Sequence, residues 1–94
     1  MYVVREVFTA KPGNASKLAK LFKEIFGTHP RMKARVMTDA VGEYNTVVME
    51  IEVASLSAFE EMMSDPAESA KFQEKMKGYT EMYLTGRREV YKVV

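Results

Sequence analysis

Few polar residues in this sequence are placed where they could do chemistry. Arg5 and Glu6 are neighbours in a stretch, residues 2–10, that otherwise holds mainly valine, aromatic and threonine side chains. If that stretch is a strand, successive side chains point to opposite faces, so one of the two charges must face whatever covers the sheet. An ion so placed needs a partner or a ligand, because an unpaired buried charge is costly. Ion pairing is the ordinary answer, and polarising a bound molecule is the functional one. Arg88 with Lys92, and Arg87 with Glu89, raise the same question near the other end of the chain.

Tyr79 and Tyr83 recur with Phe72 and Met76 at helical spacing, which would aim their hydroxyls at a cleft or its rim. A buried phenol needs a hydrogen-bond partner, so either hydroxyl could orient a polar ligand atom. The methionines at 37, 49, 62, 63, 76 and 82 are of a type that fills irregular gaps in a core and also lines deformable apolar pockets. These considerations make Arg5, Glu6, Met49, Met63, Tyr79 and Tyr83 the candidate ligand-binding residues. No residue is assigned a catalytic role.

Other reactive types have plainer explanations. His29 could shuttle a proton, but between Gly27 and Pro30 it is expected as an exposed turn residue. One histidine and two aspartates give no metal-ligand spacing, so no metal site is expected. Glu50 and Glu52 read instead as cross-strand partners of Arg35 and Lys33. The serines at 16, 55, 57, 64 and 69 suit helix caps and helix surfaces, and Lys17, Lys20 and Lys23 form a solvated face.

The elements that must hold these residues can be read from patterning. Residues 2–10 form a first strand, ended by Lys11-Pro12-Gly13. Asn14 can cap a helix whose Leu18, Leu21, Phe22 and Ile25 share one face, with Gly27 and Pro30 stopping it. From Arg31 to Val53 hydropathy alternates and breaks near Gly42-Glu43, which predicts a hairpin with a two-residue turn. That register sets Arg35 opposite Glu50 and Lys33 opposite Glu52 on one face. It sets Ala34 opposite Ile51, Val36 opposite Met49 and Thr38 opposite Val47 on the other.

Ser55, or Ser57 with Glu60, can start a second helix, and Asp65-Pro66 with Glu68 predicts a kink or a restart within it. The helical spacing of Phe72, Met76, Tyr79 and Tyr83 extends it through Gly78, and residues 87–94 alternate as a last strand. The expected fold class is α+β, in the order β-α-β-β-α-β of a ferredoxin-like antiparallel sheet with two helices on one face.

Length and charge narrow the function. The 94 residues make one domain, 1–94, whose monomer would be marginal and would gain from association. Fourteen basic and thirteen acidic side chains leave a net charge of +1, too little to imply a nucleic-acid or membrane partner. RNA-recognition domains share this element order, but the third strand, Val47-Val48-Met49-Glu50-Ile51-Glu52, offers no aromatic for base stacking. The absence of cysteine, and the charges among the first residues, lead us to expect a soluble, cytoplasmic protein.

Three stretches resemble the dimeric α/β barrel superfamily, in particular its small NIPSNAP-like and antibiotic-biosynthesis-monooxygenase-like proteins. They are the opening strand into Thr9-Ala10-Lys11-Pro12-Gly13, the segment Gly42-Glu43-Tyr44-Asn45-Thr46-Val47-Val48-Met49-Glu50, and the ending Gly86-Arg87-Arg88-Glu89-Val90-Tyr91-Lys92-Val93-Val94. The resemblance implies a homodimer with sheets paired face to face and a ligand cleft between each sheet and its helices. It points away from the heme-degrading members, which use a histidine and usually a tryptophan, since this chain has no tryptophan. Function is then expected to be binding of a small, partly apolar molecule without a cofactor. The alternative is a cofactor-independent monooxygenase or isomerase acting on an aromatic or polyketide-like substrate.

Overall fold

Strand-forming residues at the start of the chain give β1 (Tyr2–Ala10), and in the structure, a computed structural model that describes residues 1–29 and 32–94, β1 lies inside the sheet. The following elements are α1 (Ala15–Phe26), β2 (Lys33–Thr38), β3 (Thr46–Val53), α2 (Leu56–Ser64), α3 (Pro66–Lys75) and β4 (Tyr83–Lys92). The strands pair in the order β2-β3-β1-β4, each antiparallel to its neighbour. This is the α+β, ferredoxin-like arrangement expected from the sequence. Pro30, read above as a helix stop, and Arg31, read as the start of the hairpin segment, lie outside the described residues.

Alternation sorts the sheet into two faces. Toward the helices point Val4, Ala10, Val47, Met49, Ile51 and Val53, all buried. They meet Leu18, Phe22, Ile25 and Phe26 of α1, and Phe59 of α2. Phe22 and Leu18 are fully enclosed, so each contributes roughly 1.5–3 kcal/mol of burial. The helix starts follow the sequence closely. Ser55 Oγ accepts the Ala58 N–H at 3.1 Å, and Asp65 Oδ1 accepts the Ala67 N–H at 3.0 Å, so the chain restarts as a separate helix at Pro66. Asn14 sits at the start of α1 without a side-chain capping bond; its carbonyl accepts the Leu18 N–H instead.

The β2–β3 register is the expected one, with Lys33 opposite Glu52, Arg35 opposite Glu50 and Val36 opposite Met49. The two-residue turn is not formed. The strands close at Asp39 and Thr46, where Asp39 Oδ1 accepts the Thr46 N–H at 3.0 Å and the Asp39 N–H reaches the Thr46 carbonyl at 3.2 Å. A wider loop, residues 40–45, follows, with Asn45 at φ +64°, a conformation asparagine tolerates better than most.

The second helical segment also departs from expectation. Helix α3 ends at Lys75, and Gly78 takes φ +89°, a left-handed turn that only glycine adopts freely. A short 3₁₀ turn, Tyr79–Glu81, leads directly into β4. Tyr83 is therefore a strand residue opposite Ala10, not part of a helical stripe. The register shifts at Thr9/Ala10, leaving Leu84 as the extra residue of a bulge, and this lengthens β4 at its start. Gly86 lies beneath Phe8, whose ring would be 2.9 Å from any added Cβ.

The face away from the helices carries the charges. Glu50, only 7% exposed, lies between Arg5 and Arg35 on the flanking strands, with Arg5 Nε at 3.0 Å and Arg35 Nε at 2.8 Å. Burial opposes the charged carboxylate, but hydrogen bonds and charge from Arg35 and Arg5 outweigh it and hold the group below its ordinary value of 4.5. Because the folded carboxyl titrates lower than the unfolded one, its contribution is complete above 4.5 and fades as pH falls through the folded value. Glu50→Gln is expected to cost about 1–3 kcal/mol at neutral pH and to blunt the loss of stability on acidification. Urea unfolding of both proteins at neutral and acid pH checks this; equal losses on acidification would count against the triad.

Candidate functional site

Between the sheet and the helices lies a cavity of about 180 Å³. Its floor is Glu6 and Phe8 of β1, Met49 and Ile51 of β3, and Arg88 of β4. Phe22 and Phe26 of α1 form one wall, Phe59 and Met63 of α2 another, and Phe72, Met76 and Tyr79 close the far side. The rings pack on one another, with Phe8 5.2 Å from Phe22, Phe26 5.1 Å from Phe72, and Tyr79 6.4 Å from Phe22. Helix α3 contributes no buried residue of its own, so Phe72 and the turn after it are what hold this wall in place.

Three residues that carry polar groups, Glu6, Arg88 and Tyr79, interrupt the apolar lining. Glu6 and Arg88 are direct cross-strand partners and form an ion pair through Arg88 Nε and Glu6 Oε1. Arg88 also stands over the Phe59 ring, 5.2 Å from its centroid, a cation–π contact that fixes the guanidinium. Burial raises the Tyr79 phenol above its ordinary value of 10, and the charge and hydrogen bond of Tyr83 and the charge of Glu6 add to this.

Four of the six residues singled out from the sequence meet here: Glu6, Met49, Met63 and Tyr79. Tyr83 stands behind the lining, its ring 4.8 Å from Phe8 and 5.7 Å from Tyr79. Arg5 faces the opposite side of the sheet, bonded to Glu50 and 5.6 Å from the Tyr91 ring. Of the adjacent charges on β1, Glu6 is thus the one turned toward the helices. The sequence marks Arg88 as a charge in need of a partner, but neither it nor Phe59 was among the six candidates. The alternation of β4 puts Arg88 on the same face as Val90, but its pairing with Glu6 depends on the register between β1 and β4, which hydropathy does not record.

His29 is not the exposed turn residue expected. Its side chain is 13% exposed, its Nε2 is 3.1 Å from Glu68 Oε2, and its ring packs 5.8 Å from Phe72. It fastens the end of α1 to α3 beside the cavity. Among the described residues no group of three or more His, Cys, Asp or Glu could hold a metal ion. A larger depression, about 480 Å³ along Glu52, Ala58, Glu61 and Asp65, is shallow and walled by carboxylates. It lacks the enclosed apolar walls that hold a small molecule. Among the described residues no helix is long and apolar enough to cross a membrane.

Solved structures share this architecture along nearly the whole chain. A NIPSNAP family protein from Agrobacterium tumefaciens superposes with a TM-score of 0.77 at 15% identity, covering 99% of this chain and 92% of that one. A candidate antibiotic biosynthesis monooxygenase from Chloroflexus aurantiacus gives 0.74 at 15% identity, with coverage of 99% and 92%. SnoaB, a cofactor-independent oxygenase from Streptomyces nogalater, gives 0.70 at 12% identity, again covering 99% and 92%. No protein-family model and no curated protein matches the sequence. The chain has the ferredoxin-like fold shared by NIPSNAP-domain and antibiotic-biosynthesis-monooxygenase proteins. At these identities the likeness concerns the fold and carries no activity across.

The buried phenol offers a direct check. In a spectrophotometric or NMR titration of the tyrosines, one phenol is expected to ionise later than the rest, and Tyr79→Phe is expected to remove that late component. If the late component survives Tyr79→Phe, Tyr79 is not the phenol that burial and the neighbouring Tyr83 hold back.

Proposed function

We propose that the protein is a homodimer that binds a small, partly apolar molecule in the cavity between sheet and helices. The observation that carries this reading is the cavity itself, with apolar walls and polar groups gathered near Glu6, the composition of a ligand site. Volume decides the size of the guest. A dry cavity of roughly 150 Å³ accommodates benzene, so about 180 Å³ suits one ring better than a multi-ring polyketide. Burying a ring of roughly 150–250 Å² gives on the order of 4–6 kcal/mol before the cost of association. Before that cost, this corresponds to about 1 mM down to tens of micromolar, so a dissociation constant in the millimolar range is expected.

Support for the dimer is the uncovered sheet face, where Tyr91 is 49% exposed and Val93 45% exposed beside the charged pairs. A partner sheet would cover these groups, and we place the protein in the cytoplasm on the grounds given by its composition. A second reading is a cofactor-independent oxygenase or isomerase, in which Glu6 accepts a proton from the ligand while Arg88 or Tyr79 stabilises the resulting oxyanion. What favours it is a carboxylate with a side chain only 15% exposed facing an apolar cavity.

Two measurements test the proposal. Sedimentation equilibrium at micromolar concentration is expected to give twice the monomer mass, and a monomer throughout would remove the dimer. In a thermal-shift panel, single-ring compounds at a hundredfold excess over their dissociation constants are expected to stabilise by about 2.7 kcal/mol, on the order of 10 °C for a chain of this size. Four-ring compounds are expected to have no effect. No shift with any single-ring compound would show that the cavity is only a packing defect, and product in the mass spectrum of a bound ligand would favour the enzyme.

A further inference from the structure

The Glu6–Arg88 pair is only half engaged. Of the five N–H donors of Arg88, the one on Nε serves Glu6 Oε1; its terminal nitrogens make no hydrogen bond among the described residues. Glu6 Oε2 likewise has no bonded partner. Among the described residues no fully buried side-chain oxygen or nitrogen lacks a partner, so Oε2 keeps some exposure, and Glu6 and Arg88 both line the cavity. An acceptor and a set of donors therefore stand side by side on the cavity floor. They are held there by adjacent strands and by the Phe59 ring, so little ordering is lost when a ligand meets them.

We propose that the ligand is an uncharged single-ring molecule with a hydrogen-bond donor and an acceptor on adjacent atoms, as on the edge of an amide or a lactam. This rests on the reading that the cavity binds a small molecule. The donor would meet Glu6 Oε2 and the acceptor the terminal nitrogens of Arg88, while the ring sits among the aromatic and methionine walls. Charge balance selects the neutral guest. Glu6 and Arg88 cancel, so an anion would face Glu6, and Glu60 in the groove that continues past Arg88, with the guanidinium already shared. A cation would face Arg88 at the mouth. Either ion would also lose its hydration on entering an apolar space, a cost that a neutral amide edge largely avoids.

Benzamide, benzoate, benzylamine and toluene are close in size and separate these cases. Binding is followed by NMR of ¹³C-methyl methionine, in which the Met49 and Met63 signals report occupancy of the cavity. Benzamide is expected to bind at least tenfold more tightly than each of the other three. In Glu6→Leu/Arg88→Met, which replaces the pair with apolar groups, benzamide and toluene are expected to bind within threefold of each other. Tightest binding of benzoate would overturn the proposal in favour of an anion site at Arg88, and tightest binding of benzylamine would overturn it in favour of Glu6 alone. Equal binding of toluene and benzamide by the wild type would overturn it and leave the cavity reading standing, whereas no binding of any compound would remove both. The wild-type comparison decides the matter even where the double variant does not fold.

Discussion

Adjacent residues of a strand cannot face the same way, and β1 carries two opposite charges side by side. That constraint organises the molecule. Arg5 falls on the open face, where Glu50 and Arg35 complete a row across β1, β3 and β2. Glu6 falls under the helices, where the core is otherwise apolar, and its charge is met by a cation from the neighbouring strand. A slip of one residue in either pairing of β1 would reverse both placements, leaving Arg5 in the core and Glu6 among the carboxylates of the open face. The register is thus held by charge as well as by hydropathy.

The cavity follows from the same arrangement. A Glu–Arg pair cannot be packed over as tightly as Val4 or Ile51, because Arg88 must keep its head near water, and its side chain remains 47% exposed. Phe59 covers it in part, and the layer above is completed by long, flexible methionines and by the rings of Phe72 and Tyr79. Phe8 lies low against Gly86, the one position in β4 where its ring can rest directly on the backbone. Space is left between a floor that carries charge and a roof made of aromatic edges.

Much of the fold was legible in the sequence because its signals are local or paired. The caps at Ser55 and Asp65 are read from residues next to the helices they start. The Arg35–Glu50 register is read from two patterns that must agree on opposite faces. The turn between β2 and β3 was not, because the Asp39 side chain, bonded to the Thr46 amide, closes the hairpin early and hydropathy does not record it. Tyr83 was misplaced because its spacing from Tyr79 is as regular as a helix, while Gly78 reverses the chain between Met76 and Tyr79. His29 and Glu68 are 39 residues apart, and nothing in either neighbourhood announces the contact. Of the candidate site, Glu6, Met49, Met63 and Tyr79 were reached by asking which polar or pliable groups the pattern forces inward. Arg88 was raised as a charge in need of a partner, but its pairing with Glu6 rests on a register between the two ends of the chain that no local signal records.

Everything proposed for this protein needs unfilled space between sheet and helices, and xenon tests that most directly. Xenon enters apolar cavities of this size without needing a polar contact, so the result does not depend on guessing the ligand. In a crystal of the protein held under xenon pressure, the account predicts one well-occupied atom between Phe22, Met49 and Tyr79. A crystal with no xenon there, and with Met63 and Met76 folded inward to touch the sheet, would contradict it.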